Sequence, residues 1–457
     1  MSVKVIELND SAVSVSDESG LLLQSPGFAV VSDRGLEVGR AAEQQARLRP
    51  TSSFNKFWHQ LSLEPLGYSV GNVRHFADLA YAHLLHVAEE AQLDGDVIFA
   101  VPGNFTGQQL AILLGLARQC PFNPVGVVDS ALASTLHLVE KPNLVFADIQ
   151  LHQTLLTRFS ITDGHLQRES VIQIPEAGLQ DFNNLVMQFA TGLFIQQCRF
   201  NPQHNAESEQ QLYNSLPGWL GQFGENRSSL LMEIKTASAV HQAKVPWETL
   251  VQKLGDFYAR IRQQIDSVSQ DSNTQVVVSS ALSGLPSFTL AVSVQDRLKI
   301  APPDSLGKIC IELEQFINSD DDGFQHVTRL PLAGHVEVGS KRLAPAGGKD
   351  DSCRPTHVLC GSHALPIGKV TVSNDDDHVG PEAVNGKGIR LSINGLPAYL
   401  GQIEREGDQV NIICGEAGAF LNGEKISGKR ELKLGDCVQF ADHSEVLCLI
   451  QVSDGVE

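Results

Sequence analysis

The chain has 457 residues and a formal net charge of −19, with 42% hydrophobic and 19% charged residues. This length predicts two or three domains rather than one core, and the composition is typical of a folded protein. The negative charge argues against nucleic acid or an anionic membrane as a general partner, because the phosphates of either would repel it.

The N-terminal residues MSVKVIELND predict a first strand rather than a signal peptide, because they lack a basic start followed by a long apolar core. No apolar run reaches the roughly 18–20 residues that a membrane span needs. We therefore expect a cytoplasmic protein.

None of the eight cysteines forms a Cys-x-x-Cys pair, so reduced, buried thiols are expected. Cys353 and Cys360 flank a short loop and are the one pair with a spacing worth testing for metal.

Residues 1–317 alternate strand-like and helix-like segments. VKVIEL alternates in polarity, whereas VIFAVP, PNLVFADI and NTQVVVSSAL are short apolar runs typical of strands buried on both faces. VRHFADLAYAHLLHVAEEAQ, LQDFNNLVMQFATGLFIQQC and WETLVQKLGDFYARIRQQIDSV carry apolar residues at helical spacing. The alternation predicts an α/β domain.

The composition changes after this domain. Residues 318–355 contain an acidic turn, NSDDDGF, and a Pro- and Gly-rich stretch, RLAPAGGKDDSCRP, which together predict a linker. From residue 356 to 457 the periodicity becomes two, and Asn-Gly and Gly-Asp pairs recur at short intervals. Repeated hairpin turns between alternating strands predict a small all-β domain.

One segment of the α/β domain points to a family. VIFAVPGNFTGQQLAILLGLARQCPFNPVGVVDSALAST resembles the stretch of a DnaK-type heat-shock chaperone that reads V-P-A-x-F, then x-x-x-Q-R-x-A, then N-E-P-T-A-A-A. Val101, Pro102 and Phe105 keep the first part, a helix predicted over 106–118 keeps the second, and residues 128–131 stand in place of N-E-P-T.

Further segments follow in the order of the family. They are GLEVGRAAEQQARLRPTSSFNKFW, GLQDFNNLVMQF, TQVVVSSALSGLP and APPDSLGKICIELEQFI. The resemblance implies the two-lobed architecture of actin and the sugar kinases, with a nucleotide cleft between the lobes. In such a cleft, glycine-rich hairpins bring bare backbone amides to the phosphates, and carboxylates hold magnesium.

The first phosphate hairpin departs from the family pattern D-L-G-T-T-N-S. Here the sequence is ELNDSAVSV, with Glu7 in place of the aspartate and the turn shortened to Asn9, Asp10 and Ser11. The shorter turn offers fewer amide donors, and the Asp10 carboxylate is expected to repel a triphosphate.

The second hairpin departs further from its pattern, D-L-G-G-G-T. DIQLHQT keeps Asp148 and Thr154, but Gln150, Leu151 and His152 occupy the glycine region. Side-chain atoms of Leu151 or His152 are expected to stand where phosphate oxygens would lie.

The adenosine side of the implied cleft is also altered. The family's G-G-S-T-R becomes Ser279, Ser280, Ala281 and Leu282 followed by Ser283-Gly284, without the adenine-stacking arginine. The family's adenine helix falls near residues 214–220, where Pro217-Gly218 predicts a break in the helix.

The resemblance therefore implies a degenerate nucleotide site. The candidates for residual cofactor binding are Asn9, Ser11, Gln150, Thr154, Ser279, Ser280 and Gly284. The vestigial catalytic candidates are Glu7, Asp129, Asp148 and Lys56, and the candidate metal ligands are Glu7 and Asp148. We expect no cofactor and no normal ATP turnover; the alternative is a chaperone-like protein that binds ATP or ADP with Mg²⁺ and hydrolyses ATP weakly.

The C-terminal domain resembles a forkhead-associated (FHA) domain. Ile367-Gly368-Lys369 stands for the family's I-G-R, and FLNGEKI and LKLGDCVQF match its N-G turn and L-x-x-G-D motif. The serine and histidine of the phosphate-reading loop fall near Pro397 and Leu400, so phosphopeptide binding is not expected. The two resemblances together predict a pseudo-ATPase scaffold or adaptor that binds other proteins.

Overall fold

The structure is a computed structural model. It describes residues 3–32, 35–66, 73–222, 229–237, 239–271, 273–292, 298–318, 324–332, 355–360, 363–374, 382–384, 388–391, 396–407, 409–422, 424–433, 436–440 and 447–450. The chain divides into two compact units, Met1–Val338 and Gly339–Glu457.

The first unit is mixed α/β. Its strands are β1 (Lys4–Asn9), β2 (Ala12–Asp17), β3 (Gly20–Pro26), β4 (Ala29–Ser32), β5 (Gly35–Val38), β6 (Ser53–Phe54), β7 (Asp96–Val101), β8 (Asn123–Asp129), β9 (Asn143–Ile149), β10 (Gln153–Thr162), β11 (His165–Pro175), β12 (Ser229–Lys235), β13 (Val240–Pro246), β14 (Thr274–Val278), β15 (Leu298–Ile300), β16 (His326–Val327) and β17 (Arg329–Pro331). Its α-helices are α1 (Gly39–Glu43), α2 (Phe76–Glu90), α3 (Gly107–Ala117), α4 (Ser130–Thr135), α5 (Leu179–Cys198), α6 (Ala206–Leu220), α7 (Trp247–Val268), α8 (Ser280–Ser283), α9 (Phe288–Ala291), α10 (Ser305–Glu312) and α11 (Glu314–Ile317).

Two six-stranded sheets of this unit share one plan. Their strand orders are β16-β8-β7-β1-β2-β3 and β15-β14-β9-β10-β11-β17. In each sheet an antiparallel three-stranded meander, β1-β2-β3 or β9-β10-β11, carries parallel strands on the far side of its first strand. The two β-hairpins β1–β2 and β9–β10 therefore occupy equivalent places in the two sheets.

The local sequence explains the main elements. Every residue of the central strand β14 is buried, as expected for a short apolar run with a strand on each side. Helix α7 buries one face, formed by Trp247, Leu250, Leu254, Phe257, Tyr258, Ile261 and Ile265. Helix α3 begins after Thr106, whose hydroxyl accepts the backbone N–H of Gln109 while the Gln109 side chain accepts the N–H of Thr106. The strands and long helices predicted from these segments are thus confirmed.

Two sequence predictions are wrong. Helix α6 continues through Pro217 to Leu220, because Leu216 and Trp219 are buried and anchor its last turn, and the proline removes only one backbone donor. Residues 326–331, which the sequence placed in the linker, instead form β16 and β17 and pair with β8 and β11. Strands of two and three residues are too short to show a periodicity. The remainder of the predicted linker, residues 319–323 and 333–354, lies outside the described residues, and Cys353 lies there too.

The second unit is all-β among its described residues. Its strands are β18 (His357–Cys360), β19 (His363–Pro366), β20 (Lys369–Asn374), β21 (Glu382–Val384), β22 (Gly388–Leu391), β23 (Tyr399–Glu406), β24 (Gln409–Cys414), β25 (Ala419–Leu421), β26 (Glu424–Ile426), β27 (Lys429–Leu432), β28 (Cys437–Gln439) and β29 (Leu447–Ile450). They form two six-stranded sheets, β19-β18-β29-β28-β25-β26 and β21-β22-β20-β23-β24-β27, and side chains from both sheets build one core.

Two of the predicted turns of this unit fall between residues that pair across them; Gly423 and Asp408 themselves, the predicted Asn394-Gly395 turn and Gly435 lie outside the described residues. Leu421 pairs with Glu424 across the Asn-Gly turn at 422–423, and Glu406 pairs with Gln409 across the Gly-Asp turn at 407–408. Asn422 has a φ of 52° and donates from its side-chain amide to the Asp436 carboxylate at 2.9 Å. A left-handed position suits asparagine, which explains the Asn-Gly signal.

Five cysteines, Cys120, Cys198, Cys310, Cys414 and Cys437, carry thiols that form no disulfide. Within the part of the chain that the structure describes, no helix combines the length and the apolar character that crossing a membrane requires.

Candidate functional site

A small polar pocket lies beside both equivalent hairpins of the first unit. Its lining includes Glu7, Asn9 and Ser11 from β1 and its turn, Asp148 from β9, and Ser279 and Ser280 at the start of α8. Its volume is about 150 Å³, which is below the roughly 300–1,000 Å³ of typical small-molecule sites. The structure thus brings together six of the residues that the sequence singled out.

The pKa values of the two carboxyl groups of this pocket are raised. Burial, and secondarily the nearby Asp148 carboxylate, raises the pKa of Glu7 to about 7. Burial also raises the pKa of Asp148 to about 6, although hydrogen bonds from Ser279 and from the Ile149 backbone oppose the shift. Among the described residues, no group of three His, Cys, Asp or Glu side chains could hold a metal ion.

The two hairpins are hydrogen-bonded directly to each other. The Asn9 side-chain amide donates to the Asp148 carboxylate at 3.2 Å and lies 3.5 Å from the carbonyl oxygen of Ile149. In the turn of the first hairpin, the Asp10 carboxylate accepts the backbone N–H of Leu151, in the turn of the second, at 2.5 Å. We call the Asp10–Leu151 bond the hairpin clasp.

The Asp10 carboxyl group is strongly desolvated in this position. The residue is only 5% exposed, and burial raises the pKa of its carboxyl group to about 7, against the lowering effect of backbone N–H donors at Leu151, His152 and Ser11. Its second carboxylate oxygen is buried without a hydrogen-bond partner and lies 3.8 Å from Nδ1 of His59, which also has none. Burial lowers the pKa of His59.

The side chains of Asp10, Leu151 and His152 do not line the pocket. The Asp10 carboxylate accepts the Leu151 N–H in the second hairpin, and it interacts electrostatically with Asp148, which lines the pocket. Leu151 packs in a cluster with Phe28, Val30 and Ala42 instead of entering the pocket. His152 bonds through Nε2 to the Asn55 carbonyl oxygen at 3.0 Å. The side chains of Asp10 and Asn9 therefore join the two hairpins, through the Leu151 N–H and the Asp148 carboxylate respectively.

Asp129, a predicted catalytic residue, has a structural role. It is fully buried, and it accepts a hydrogen bond from Nη1 of Arg168 at 2.6 Å through one oxygen and from the Leu132 N–H at 2.9 Å through the other. The second contact caps the N-terminus of α4. Burial raises the pKa of Asp129, and the Arg168 guanidinium opposes the rise.

The remaining predicted residues also lie outside the pocket lining. Thr154 donates to the Ala177 carbonyl oxygen at 2.6 Å, and Gln150 accepts from the Gln153 side chain at 2.9 Å. Gly284 ends α8 with an ordinary right-handed backbone. Lys56 is exposed and is not part of the lining.

Sequence reasoning missed several contributors to this region. Arg168 lies on β11, 39 residues from Asp129, and no local signal connects the two. Serines also dominate the pocket in a way that the motifs did not indicate; beyond those already named, the lining contains Ser14, Ser16, Ser130, Ser134 and Ser305. Dispersed serines give no spacing that could be read from the sequence.

A scan against models of protein families finds no match to this chain, and a search of curated proteins also finds none.

Proposed function

We propose that this chain is a pseudo-ATPase scaffold: a degenerate relative of the DnaK-type two-lobed architecture joined to an FHA-like module, acting through contacts with other proteins rather than through catalysis. The shared plan of the two six-stranded sheets, with a hairpin at the same place in each, supports the two-lobed architecture. The hairpin clasp carries the functional part of the proposal.

In the hairpin clasp, a carboxylate of the protein accepts the backbone N–H that a bound anion would otherwise accept. Backbone amides in turns bind phosphates because they can be approached closely and carry partial positive charge. Here the Leu151 N–H is already bonded to Asp10, and Asn9 spans the gap to Asp148. These two contacts support the proposal that the hairpins do not hold a nucleoside triphosphate, and the small volume of the pocket is consistent with it.

The FHA-like module is proposed to bind protein without reading phosphate. Leu400, at the position that the resemblance assigns to a histidine, is fully buried in the core of the second unit and presents no polar group. Lys369 is exposed at the start of β20, but a lone ammonium lacks the planar fork with which arginine holds phosphate.

A thermal-shift titration with ATP or ADP and Mg²⁺ tests the scaffold proposal. A ligand present at one hundred times its Kd adds about 2.7 kcal/mol of stability, so we expect no shift at millimolar nucleotide and no release of phosphate. The alternative, weak ATP binding and hydrolysis, is favoured by Glu7 and Asp148, which both line the pocket. A saturable shift accompanied by phosphate release above a protein-free blank would establish that alternative instead.

A further inference from the structure

A basic cleft lies in the first unit among residues with no part in the polar pocket. Its walls come from the C-terminal end of α5, the start of α6 and the end of the β12–β13 hairpin. Its volume is about 670 Å³, within the range of small-molecule sites. We define the basic cleft by Arg199, Phe200, His204, Lys235 and His241, which line it.

The charge in this cleft opposes that of the whole chain. The protein carries a net charge of −19, yet among the described residues Arg199 and Lys235 line the cleft together with one acidic residue, Glu207. A concave surface in which positive charges outnumber negative charges attracts anions. His204 and His241 add ring N–H donors to the same walls.

Several walls of the cleft are fixed before any ligand arrives. Arg199 ends α5 in the left-handed region with a φ of 53°, and its backbone N–H bonds to the Ile195 carbonyl oxygen at 3.1 Å. The His241 ring stacks on Phe200, with ring centroids 3.8 Å apart and planes 5° from parallel. Ser208 donates to the Pro202 carbonyl oxygen at 2.6 Å. Fixed walls reduce the entropy that a ligand must lose on binding.

The two cations of the cleft are available to a ligand. Lys235 lies 3.3 Å from the Glu233 carboxylate, but both side chains are exposed and such surface pairs contribute little. Across the described residues, no carboxylate lies within ion-pair distance of the Arg199 guanidinium. A planar guanidinium presents two parallel N–H donors to a phosphate or a carboxylate.

We propose that the basic cleft binds a small oxyanionic ligand, with Arg199 and Lys235 as its charged contacts. Phosphate and carboxylate groups share the chemistry that these donors recognise. This site is distinct from the polar pocket, and its ligand binds whether or not the first unit retains any nucleotide affinity.

Isothermal titration of the full chain with pyrophosphate, and separately with citrate, at low ionic strength tests this proposal, since salt screens exposed charges. We expect saturable binding of at least one of the two, weakened about tenfold or more in the Arg199→Gln/Lys235→Gln double variant, which loses two charge-assisted contacts. Lys253→Gln/Arg262→Gln is the matched control, because it removes the same charge from exposed positions on α7; its affinity should stay within about twofold of the parent.

Preference for pyrophosphate or for citrate identifies the ligand as a phosphate or a carboxylate compound. Failure of both anions to bind the parent chain refutes the proposal, as does equal binding by the Arg199→Gln/Lys235→Gln variant. Repeating the thermal-shift titration with ATP on this double variant separates the two sites. A shift in unfolding temperature that the parent shows and the double variant does not comes from binding in the basic cleft. A shift that persists in the double variant contradicts the scaffold proposal instead.

Discussion

Replacing Asp10 by Asn should stabilise the first unit at alkaline pH, because the hairpin clasp holds a carboxylate that is costly to ionise. Asn keeps an oxygen that can accept the Leu151 N–H but carries no charge. Burial raises the pKa of Asp10 from 3.8 to about 7, so the folded state binds the proton more tightly than the unfolded state and stability falls as the pH rises between these values. With 1.36 kcal/mol per pKa unit, the parent should lose about 2–3 kcal/mol through this group between pH 5 and pH 8.

Tryptophan fluorescence during urea unfolding measures this effect, because all three tryptophans, Trp58, Trp219 and Trp247, lie in the first unit. The stability difference between Asp10→Asn and the parent should grow by about 2–3 kcal/mol from pH 5 to pH 8 in favour of the variant. Asp94→Asn, at an exposed position, is the control and should show a difference independent of pH. A gap that stays constant, or an Asp10→Asn variant less stable than the parent at pH 8, would refute the reasoning.

Two further predictions concern other contacts of the first unit, and the same unfolding assay measures both. Arg168→Met should destabilise the first unit by about 3–5 kcal/mol at pH 8, because it leaves the Asp129 carboxylate buried without its positive partner. Adding Asp129→Asn should recover part of this loss. If it recovers none, loss of the ion pair is not the cause. Gly178→Ala should cost about 1–3 kcal/mol, since a Cβ there would lie 2.3 Å from the Leu151 carbonyl oxygen in the second hairpin. Gly192→Ala, with open space around its Cβ position in α5, is the matched control and should stabilise by about 0.5–1 kcal/mol; equal effects of the two glycine changes would contradict the close approach.

The elements of the first unit could be predicted where a single segment carries its own periodicity. The segment predicted for α7 coincides with the observed helix Trp247–Val268, because seven apolar side chains recur on one face over 22 residues. Strands β16 and β17 could not be predicted, because they are short and form only by pairing with β8 and β11, far away in the chain. The helix break predicted at Pro217 is wrong because burial of Leu216 and Trp219 outweighs the loss of one backbone hydrogen bond.

The site could be predicted as a set of positions but not as a set of contacts. Glu7, Asn9 and Asp148 meet at one pocket, as expected for residues at equivalent hairpins. The orientation of the Asp10 side chain depends on its hydrogen bond with the Leu151 N–H, 141 residues away in the chain. Neither residue type predicts that hydrogen bond. The sequence shows that the glycines of the resembled motif are absent, but the hydrogen bonds between the two hairpins join residues far apart in the chain and could not be predicted from it.

The presence of Glu7 and Asp148 in the pocket is weak support for a bound magnesium ion, because protonation can neutralise their negative charge without a metal. Two like charges in a buried site are tolerated when at least one is protonated. Burial raises the pKa of Glu7 to about 7 and that of Asp148 to about 6, so near neutral pH the pair carries less than its full negative charge. Asn9 and Ser279 donate hydrogen bonds to the Asp148 carboxylate, and these bonds stabilise its negative charge without a cation. The carboxyl pair can therefore exist in the pocket without a metal ion, so it supports the ATP-binding alternative only weakly. The proposal of a scaffold rests on the hairpin clasp instead.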